Sequence, residues 1–339
     1  MKKIFVCAAF AVLFGASVFA ETNVSFTNKV TSDVVEVTIP NEGDTSAKFA
    51  GVKEKVTVEV TSEKVNASVA GAFVYSGSEE SQQVAWSGEA DWYVEYSPID
   101  LLTVFWSDDI MTDGSYLPVV DDNVVVGNLG SDFGLLVKPV SGLRITGGMD
   151  FTSVFAGSDV HVDLNFGADY NIKDYVTVGL GFRDVAGKDD FSFGGFASVT
   201  AVKDLVVNIG GAYNSEAPTI FGDTAAIAGN LLTLGASYSF QDLSLGFDFA
   251  TNFGVDFAYD IATAASVSYT INTVTLGLAG GTAMDFESVD VLKLPFVFAA
   301  NPSVSVALGN HTLSVGVNVV NVNKVETVLT FPVMWKFAF

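Results

Sequence analysis

Cysteine is almost missing from this chain. The only one, Cys7, lies in the first twenty residues, so the remainder has no thiol, no disulfide and no thiolate metal site. Basic residues are scarce, with 16 Lys+Arg against 39 Asp+Glu. That balance excludes nucleic acid as a partner, because phosphate contacts need a basic surface, and it disfavours anionic surfaces in general. Charge of either sign is thin, at 16% of residues, while 49% are hydrophobic and the mean hydropathy is +0.41. A soluble surface carries more charge than this. Yet no apolar run beyond residue 20 is long enough for a transmembrane helix. A greasy chain without such helices leaves a closed β-barrel as the main architecture, since lipid offers no water to satisfy backbone N–H and C=O groups. There is also no Gly-rich phosphate loop and no metal-ligand cluster. The acidic Asp121-Asp122-Asn123 lacks the spacing of a calcium loop. No cofactor is expected.

The opening segment MKKIFVCAAFAVLFGASVFA has Lys2 and Lys3, an apolar run, and then Val18-Phe19-Ala20. It reads as a secretory signal peptide over 1–20, cleaved between Ala20 and Glu21. Cys7 precedes most of the apolar run and does not fit a lipoprotein junction. The leader holds two of the 16 Lys+Arg and none of the 39 Asp+Glu, so the rest carries 14 bases against 39 acids, a formal charge of −25. Residues 21–339 are expected to form one β-barrel domain, with 21–63 an N-terminal hairpin or an extension.

Segments of about ten residues alternate oily and polar side chains, the period of a strand. Val160, Val162, Leu164, Phe166, Ala168 and Tyr170 alternate with His161, Asp163, Asn165, Gly167 and Asp169. Leu243, Leu245, Phe247 and Phe249 repeat the pattern, as do Leu313, Val315, Val317 and Val319. Short connections recur near Pro98, Pro139, Lys173, Lys203, Gln241, Asn272 and Asn310, at hairpin spacing. Several end in Asp before an apolar residue, as in Asp204-Leu205 and Asp242-Leu243, where the Asp supports the turn. The alternate links are long, as over 107–132 and 213–230. Short turns at one end and long loops at the other are the layout of an outer-membrane barrel. Pairing from Val65 onward gives about sixteen antiparallel up-and-down strands, within a range of roughly 14–18. An N-terminal hairpin over Asp33–Ile39 and Glu54–Val60 would bring the total to about eighteen.

In the last segment, TVLTFPVMWKFAF, Leu329, Phe331, Val333, Trp335, Phe337 and Phe339 share one face and the sequence stops at Phe339. This ending resembles the bacterial outer-membrane β-barrel class of porin type, whose final strand alternates apolar residues and closes on an aromatic. The resemblance implies residence in the outer membrane, and reading of Phe337 and Phe339 by the barrel-assembly machinery. It also implies passage of small hydrophilic solutes and, by analogy with sixteen-stranded porins, a homotrimer. Pro332 departs from an ideal strand because it lacks an N–H, and it marks a bulge or kink.

If the oily faces pointed inward, the outer faces should be rich in Lys and Glu. They are mostly Gly, Ser, Thr, Asn and Ala, so the oily faces are expected to meet lipid and the small polar ones a wet lumen. Aromatics near strand ends, among them Tyr75, Trp86, Tyr96, Trp106, Tyr170, Tyr175, Tyr213, Tyr269 and Trp335, fit interfacial girdles. Alternation then assigns Glu89, Asp91, Glu95, Asp150, Asp163, Asp169, Asp248, Asp256 and Asp260 to the lumen, with Arg144, Arg183, Lys336 and His161. An acidic, low-dielectric wall favours cations. The link from Ser107 carries Asp108, Asp109, Asp113, Asp121 and Asp122 and is the expected constriction loop, with a mobile surface loop as the alternative reading. General porins set such a loop against an arginine ladder, which this chain lacks. His161 and Asp163 have the His-x-Asp spacing of omptin proteases, but no second acidic pair accompanies them, and they read as wall residues of a non-enzyme. The expected function is passive diffusion through a cation-favouring pore. The alternatives are a surface barrel acting as adhesin or receptor through its loops, a substrate-specific uptake channel, and a secreted soluble β-protein.

Overall fold

The computed structural model describes residues 23–49, 51–78, 81–107, 133–150, 163–173, 175–186, 191–215, 219–220, 225–226, 229–252, 261–284, 296–322 and 325–338. At 76–78, 81–91, 107, 150, 163, 214–215, 219–220, 225–226, 229, 296 and 322 the backbone alone is described. Described residues form eighteen wall strands and no helix. They are β1 (Asn23–Pro40), β2 (Gly51–Thr61), β3 (Val65–Ser78), β4 (Ser81–Ile99), β5 (Leu102–Ser107), β6 (Phe133–Val140), β7 (Leu143–Asp150), β8 (Asp163–Ile172) and β9 (Val176–Arg183). There follow β10 (Ser192–Val202), β11 (Leu205–Ser215), β12 (Gly229–Phe240), β13 (Leu243–Asn252), β14 (Ile261–Ile271), β15 (Val274–Met284) and β16 (Phe296–Leu308). Last come β17, in two pieces (His311–Gly316 and Asn318–Val322), and β18 (Glu326–Ala338). Short pairings at Ser46–Lys48 and between Thr219–Ile220 and Ala225–Ala226 decorate the wall.

Each strand pairs antiparallel with its sequence neighbours, and β1 pairs with β18 from Thr27↔Ala338 to Pro40↔Glu326. The sheet therefore closes on itself and has no free edge. The sixteen strands from Val65 onward match the alternation count, and the first two add the hairpin that makes eighteen. β16 begins at Phe296, and 291–295 lie outside the described residues.

The short turns gather at one rim. Two residues separate Val202↔Leu205, Phe240↔Leu243, Ile271↔Val274 and Leu308↔His311. Such tight reversals need left-handed backbone. Lys173, Asp204, Gln241 and Asn272 supply it with φ of 53–62°, and Gly142 with φ 83°. At Gly142 a Cβ would also come within 2.5 Å of the Asn171 carbonyl oxygen, so glycine is required twice over. Pro98 and Pro139 sit just before their turns, inside register shifts at Tyr96/Ile99 and Val137/Val140. Proline has no N–H to give the ladder, so the chain bulges there and the turn falls two residues later.

Pro332 does the same in the wall. Its partner strand shifts register between Asp33 and Glu36, and β17 breaks at Val317, whose N–H reaches the Pro302 carbonyl at 3.0 Å. The irregularities at Pro302, Val317, Pro332 and Asp33/Glu36 thus lie side by side on four neighbouring strands.

The two faces are chemically distinct. Leu180, Ile209, Phe247, Leu278 and Trp335 are 43–52% exposed on one. Asn165, Thr233 and Asp248 are at most 3% exposed on the other. An apolar exterior and a buried polar interior are the reverse of a soluble β-protein and suit a wall standing in lipid. Aromatics cluster outward toward the loop rim, where Phe182, Phe193 and Tyr213 stack across three strands at 6.3 and 5.4 Å. At the turn rim His311 stacks on Phe337 at 4.6 Å and accepts the Trp335 Nε1 hydrogen at 3.2 Å. His311 is exposed, at the head of its strand.

Inside, Phe196 is 7% exposed and lies flat over Gly179 on the adjacent strand pair, where a Cβ would collide with its ring. Replacing Gly179 with Val is expected to destabilise the barrel by about 1–3 kcal/mol through overpacking. Adding Phe196→Ala should restore most of that loss. Urea titration of the refolded protein, followed by heat-modifiable gel migration, checks both; no rescue by the second substitution would refute the contact.

Candidate functional site: the inner wall of the barrel

Directly opposed residues on antiparallel strands share a face, so register maps the lumen strand by strand. Lys336 on β18 opposes Lys29 on β1, and Lys29 opposes Lys55 on β2. Lys53 lies two residues further along the same face. Three neighbouring strands therefore carry a row of ammonium groups. Toward the turn rim the sign changes. Glu59, Asn66, Tyr93 and Glu95 share the inner face of β2–β4, where Tyr93 Oη donates to Asn66 Oδ1 at 3.2 Å and Asn66 Nδ2 to Glu95 Oε2 at 3.4 Å. Next around the wall, the Ser97 and Thr103 hydroxyls are 2.8 Å apart.

On β7 and β8 the Arg144 Nε–H faces both Asp169 oxygens, at 2.9 and 3.0 Å. The side chains are 33% and 20% exposed, so this ion pair is partly withdrawn from water and weakly screened. Asn171 Nδ2 donates to Thr177 Oγ1 at 3.0 Å beside it. Together with Lys138 these groups line a pocket of 680 Å³ at the turn rim. Arg183 ends β9 on the same inner face.

From β10 to β17 the character changes. Inner positions include Ser192, Gly194, Ser198, Gly210, Thr233, Gly235, Ser244, Ala264, Ser268, Gly277, Ala299 and Ser303, with Phe196, Val206, Leu231, Val297 and Val320 as larger apolar ones. Asp248 is the single charged inner residue on those strands among the described side chains, and it is 1% exposed. The lumen thus has a charged arc over β18, β1–β9 and a nearly neutral arc over β10–β17.

The acids and bases expected from alternation fall as follows. Glu95, Arg144, Asp169, Arg183, Asp248 and Lys336 lie on the inner face. Asp91, Asp150 and Asp163 hold inner register positions, with Asp150 opposite Asp163, and Glu89 falls at the shift between Gly71 and Phe73. His161, Asp256, Asp260, the constriction-loop residues Asp108, Asp109, Asp113, Asp121 and Asp122, the cleavage pair Ala20 and Glu21, and Phe339 lie outside the described residues. Phe337 is part-buried on the outward face. Lys29, Lys53, Lys55, Glu59 and Lys138 were missed. The signal is in the sequence, since Val56, Val58 and Val60 alternate with Lys55, Thr57 and Glu59, but alternation alone does not separate a wall hairpin from an extension. Counting them brings the inner bases close to the number of inner acids.

No family model and no curated protein sequence matches the chain. Solved structures do. OpdL of Pseudomonas aeruginosa superposes with TM-score 0.57 at 9% identity, over 94% of this chain and 99% of that one. OccAB4 of Acinetobacter baumannii gives 0.59 at 11% identity, over 94% and 98%. A BenF-like porin from Pseudomonas fluorescens Pf-5 gives 0.60 at 11% identity, over 94% and 99%. This chain has a porin fold. At such identities the likeness speaks for the porin barrel itself, whole and end to end, and the inner side chains are this chain's own.

The lysine row is the test of that inner surface. Lys29 is exposed and central in it. Lys29→Glu should raise the potassium-to-chloride permeability ratio by on the order of a few-fold, by turning a cationic stretch of wall acidic. Reversal potentials in a salt gradient measure it; an unchanged ratio would mean that the row lies away from the ion path.

Proposed function

We propose that this barrel is a bacterial outer-membrane porin through which small hydrophilic solutes diffuse passively, with no covalent chemistry. The observation that carries the reading is a closed wall of eighteen strands, apolar outside and lined with small polar groups inside. Barrels of this strand number enclose enough space for an aqueous channel. Under this reading the terminal strand, with Phe337 and Phe339, engages the barrel-assembly machinery, and lipid covers the outward Leu, Phe and Val side chains.

Selectivity in this proposal is a mild preference for cations. It draws on the excess of acids in the whole chain and on the acid-rich segment 108–132, which we place in the channel as its constriction. The lysine row opposes that preference locally and keeps it mild. A second reading, substrate-specific uptake, is favoured by the division of the lumen into charged and neutral arcs. That division would orient a solute with one charged and one neutral side.

Planar-bilayer recording tests the proposal. Purified folded protein should give discrete conductance steps with potassium more permeant than chloride. Replacing 108–132 by a short turn should enlarge each step. Absence of steps would overturn the channel, better chloride permeation would overturn the cation preference, and unchanged steps after loop replacement would remove 108–132 from the constriction.

A further inference from the structure

The inner wall of β1–β4 holds opposite charges apart. Lys336, Lys29 and Lys55 stand in one row across three strands. Four residues nearer the turn rim, on the same face of β2, is Glu59, opposite Ser25 on β1 and Ser68 on β3. Glu95 faces the lumen close by, on β4. Lys29 and Lys336 are exposed. Among the described residues, neither these two lysines nor Glu59 and Glu95 form an ion pair. Elsewhere on the inner face opposite charges meet directly, Arg144 with Asp169 at 2.9 Å and Lys48 with Glu36 at 2.8 Å.

The strand fixes the gap between the two signs. Four residues of β-strand are about 13 Å long. Between the ends Thr27 opposes Thr57, and a hydroxyl both donates and accepts. Neutral groups hold the acidic end in place. Tyr93 Oη donates to Asn66 Oδ1 at 3.2 Å, and Asn66 Nδ2 donates to Glu95 Oε2 at 3.4 Å. Such bonds orient the carboxylate without cancelling its charge. On the loop side Asp33 lies the same four residues from Lys29, but alone, at the register shift opposite Pro332. The steepest change of sign therefore runs from the lysine row to Glu59 and Glu95. A solute of one charge is drawn to one end of this strip and repelled by the other. A solute with both charges, suitably spaced, is drawn to both.

We propose that this strip binds short zwitterionic peptides, the carboxylate at Lys29 and Lys336 and the terminal ammonium at Glu59 and Glu95. The length follows from the spacing. An extended peptide covers ~3.3–3.6 Å per residue, so about four residues bridge the two ends. A free amino acid carries both charges on one carbon and does not reach across. The peptide's own N–H and C=O groups fall over the Thr27 and Thr57 hydroxyls. Its amino end points to the turn rim. The inference names a substrate class for the uptake reading given above, and it rests on the barrel being a channel.

Potassium current through the full barrel in a planar bilayer reads the site, because a bound peptide blocks it. Tetra-alanine is the zwitterionic probe. N-acetyl-tetra-alanine keeps only the anion and tetra-alanine amide only the cation, while alanine has both charges too close together. Tetra-alanine should block for about fivefold longer than any of the other three, the strength of one exposed ion pair. Comparing the four probes on the parent channel requires no variant to fold. Glu59→Gln with Glu95→Gln should abolish the advantage over the acetylated peptide. Lys29→Gln with Lys336→Gln should abolish the advantage over the amide. Asp33→Asn should leave both advantages in place. Equal block by tetra-alanine and any of its three controls, an advantage that survives the double variants, or its loss in Asp33→Asn would overturn the site. Absence of conductance in the parent protein would instead overturn the channel reading.

Discussion

The whole molecule depends on one constraint: in hydrocarbon each backbone N–H and C=O must be bonded within the wall. The pairing of β1 with β18 meets it by removing the last free edge. Those two strands are the most distant in sequence, so closure makes every intermediate pairing part of one ring. Proline is where the constraint bites. Pro98 and Pro139 are displaced to bulges beside turns, and Pro302 and Pro332 sit in a single line of irregularity that also includes the break at Val317 and the shift at Asp33/Glu36. Collecting the defects on four adjacent strands leaves the other fourteen with regular ladders away from their ends, apart from single shifts.

Closure also assigns meaning to the alternation. Once the sheet is a ring, the two faces of each strand have different solvents, and a residue's parity decides which it meets. The oily parity takes the outside at little cost because lipid accepts it. The polar parity encloses a lumen whose lining is uneven. Apart from the buried Asp248, charge lies on the strands from β18 through β9, where Arg144 holds Asp169 and three lysines stand in a row. The remaining arc is mostly Gly, Ala, Ser and Thr, with Phe196 and Leu231 packed among them. A solute inside such a tube meets polar hydroxyls on one side and fixed charges on the other, whatever its identity.

Most of the architecture was legible in the sequence, because period-two alternation is local and repeats many times. The turns near Lys173, Lys203, Gln241 and Asn272 were located to within a residue or two, since short polar stretches such as Lys203-Asp204 and Gln241-Asp242 interrupt the alternation there. Pro98 and Pro139 placed their turns slightly early, because the proline marks the bulge and not the reversal. The count of about sixteen, within 14–18, holds from Val65 onward, and the first hairpin completes eighteen. The first hairpin has a strong alternating pattern but no terminal signature, and only its partner at the far end of the chain shows that it belongs to the ring. The lumen charge depends on the same hairpin, since Lys29, Lys53 and Lys55 all lie on those two strands.

The sequence by itself determined that the chain is a membrane-type β-barrel, which residues alternate, and where the turns fall, because composition and nearest-neighbour spacing are enough for each. Tertiary structure decided what depends on partners distant in the chain. It set Lys336 beside Lys29 and Lys29 beside Lys55, joined Arg144 to Asp169, laid Phe196 over Gly179, and turned Glu54 outward beside Asn28. Parity within one strand says that two residues share a face. Only the register between strands says which side chains meet across it.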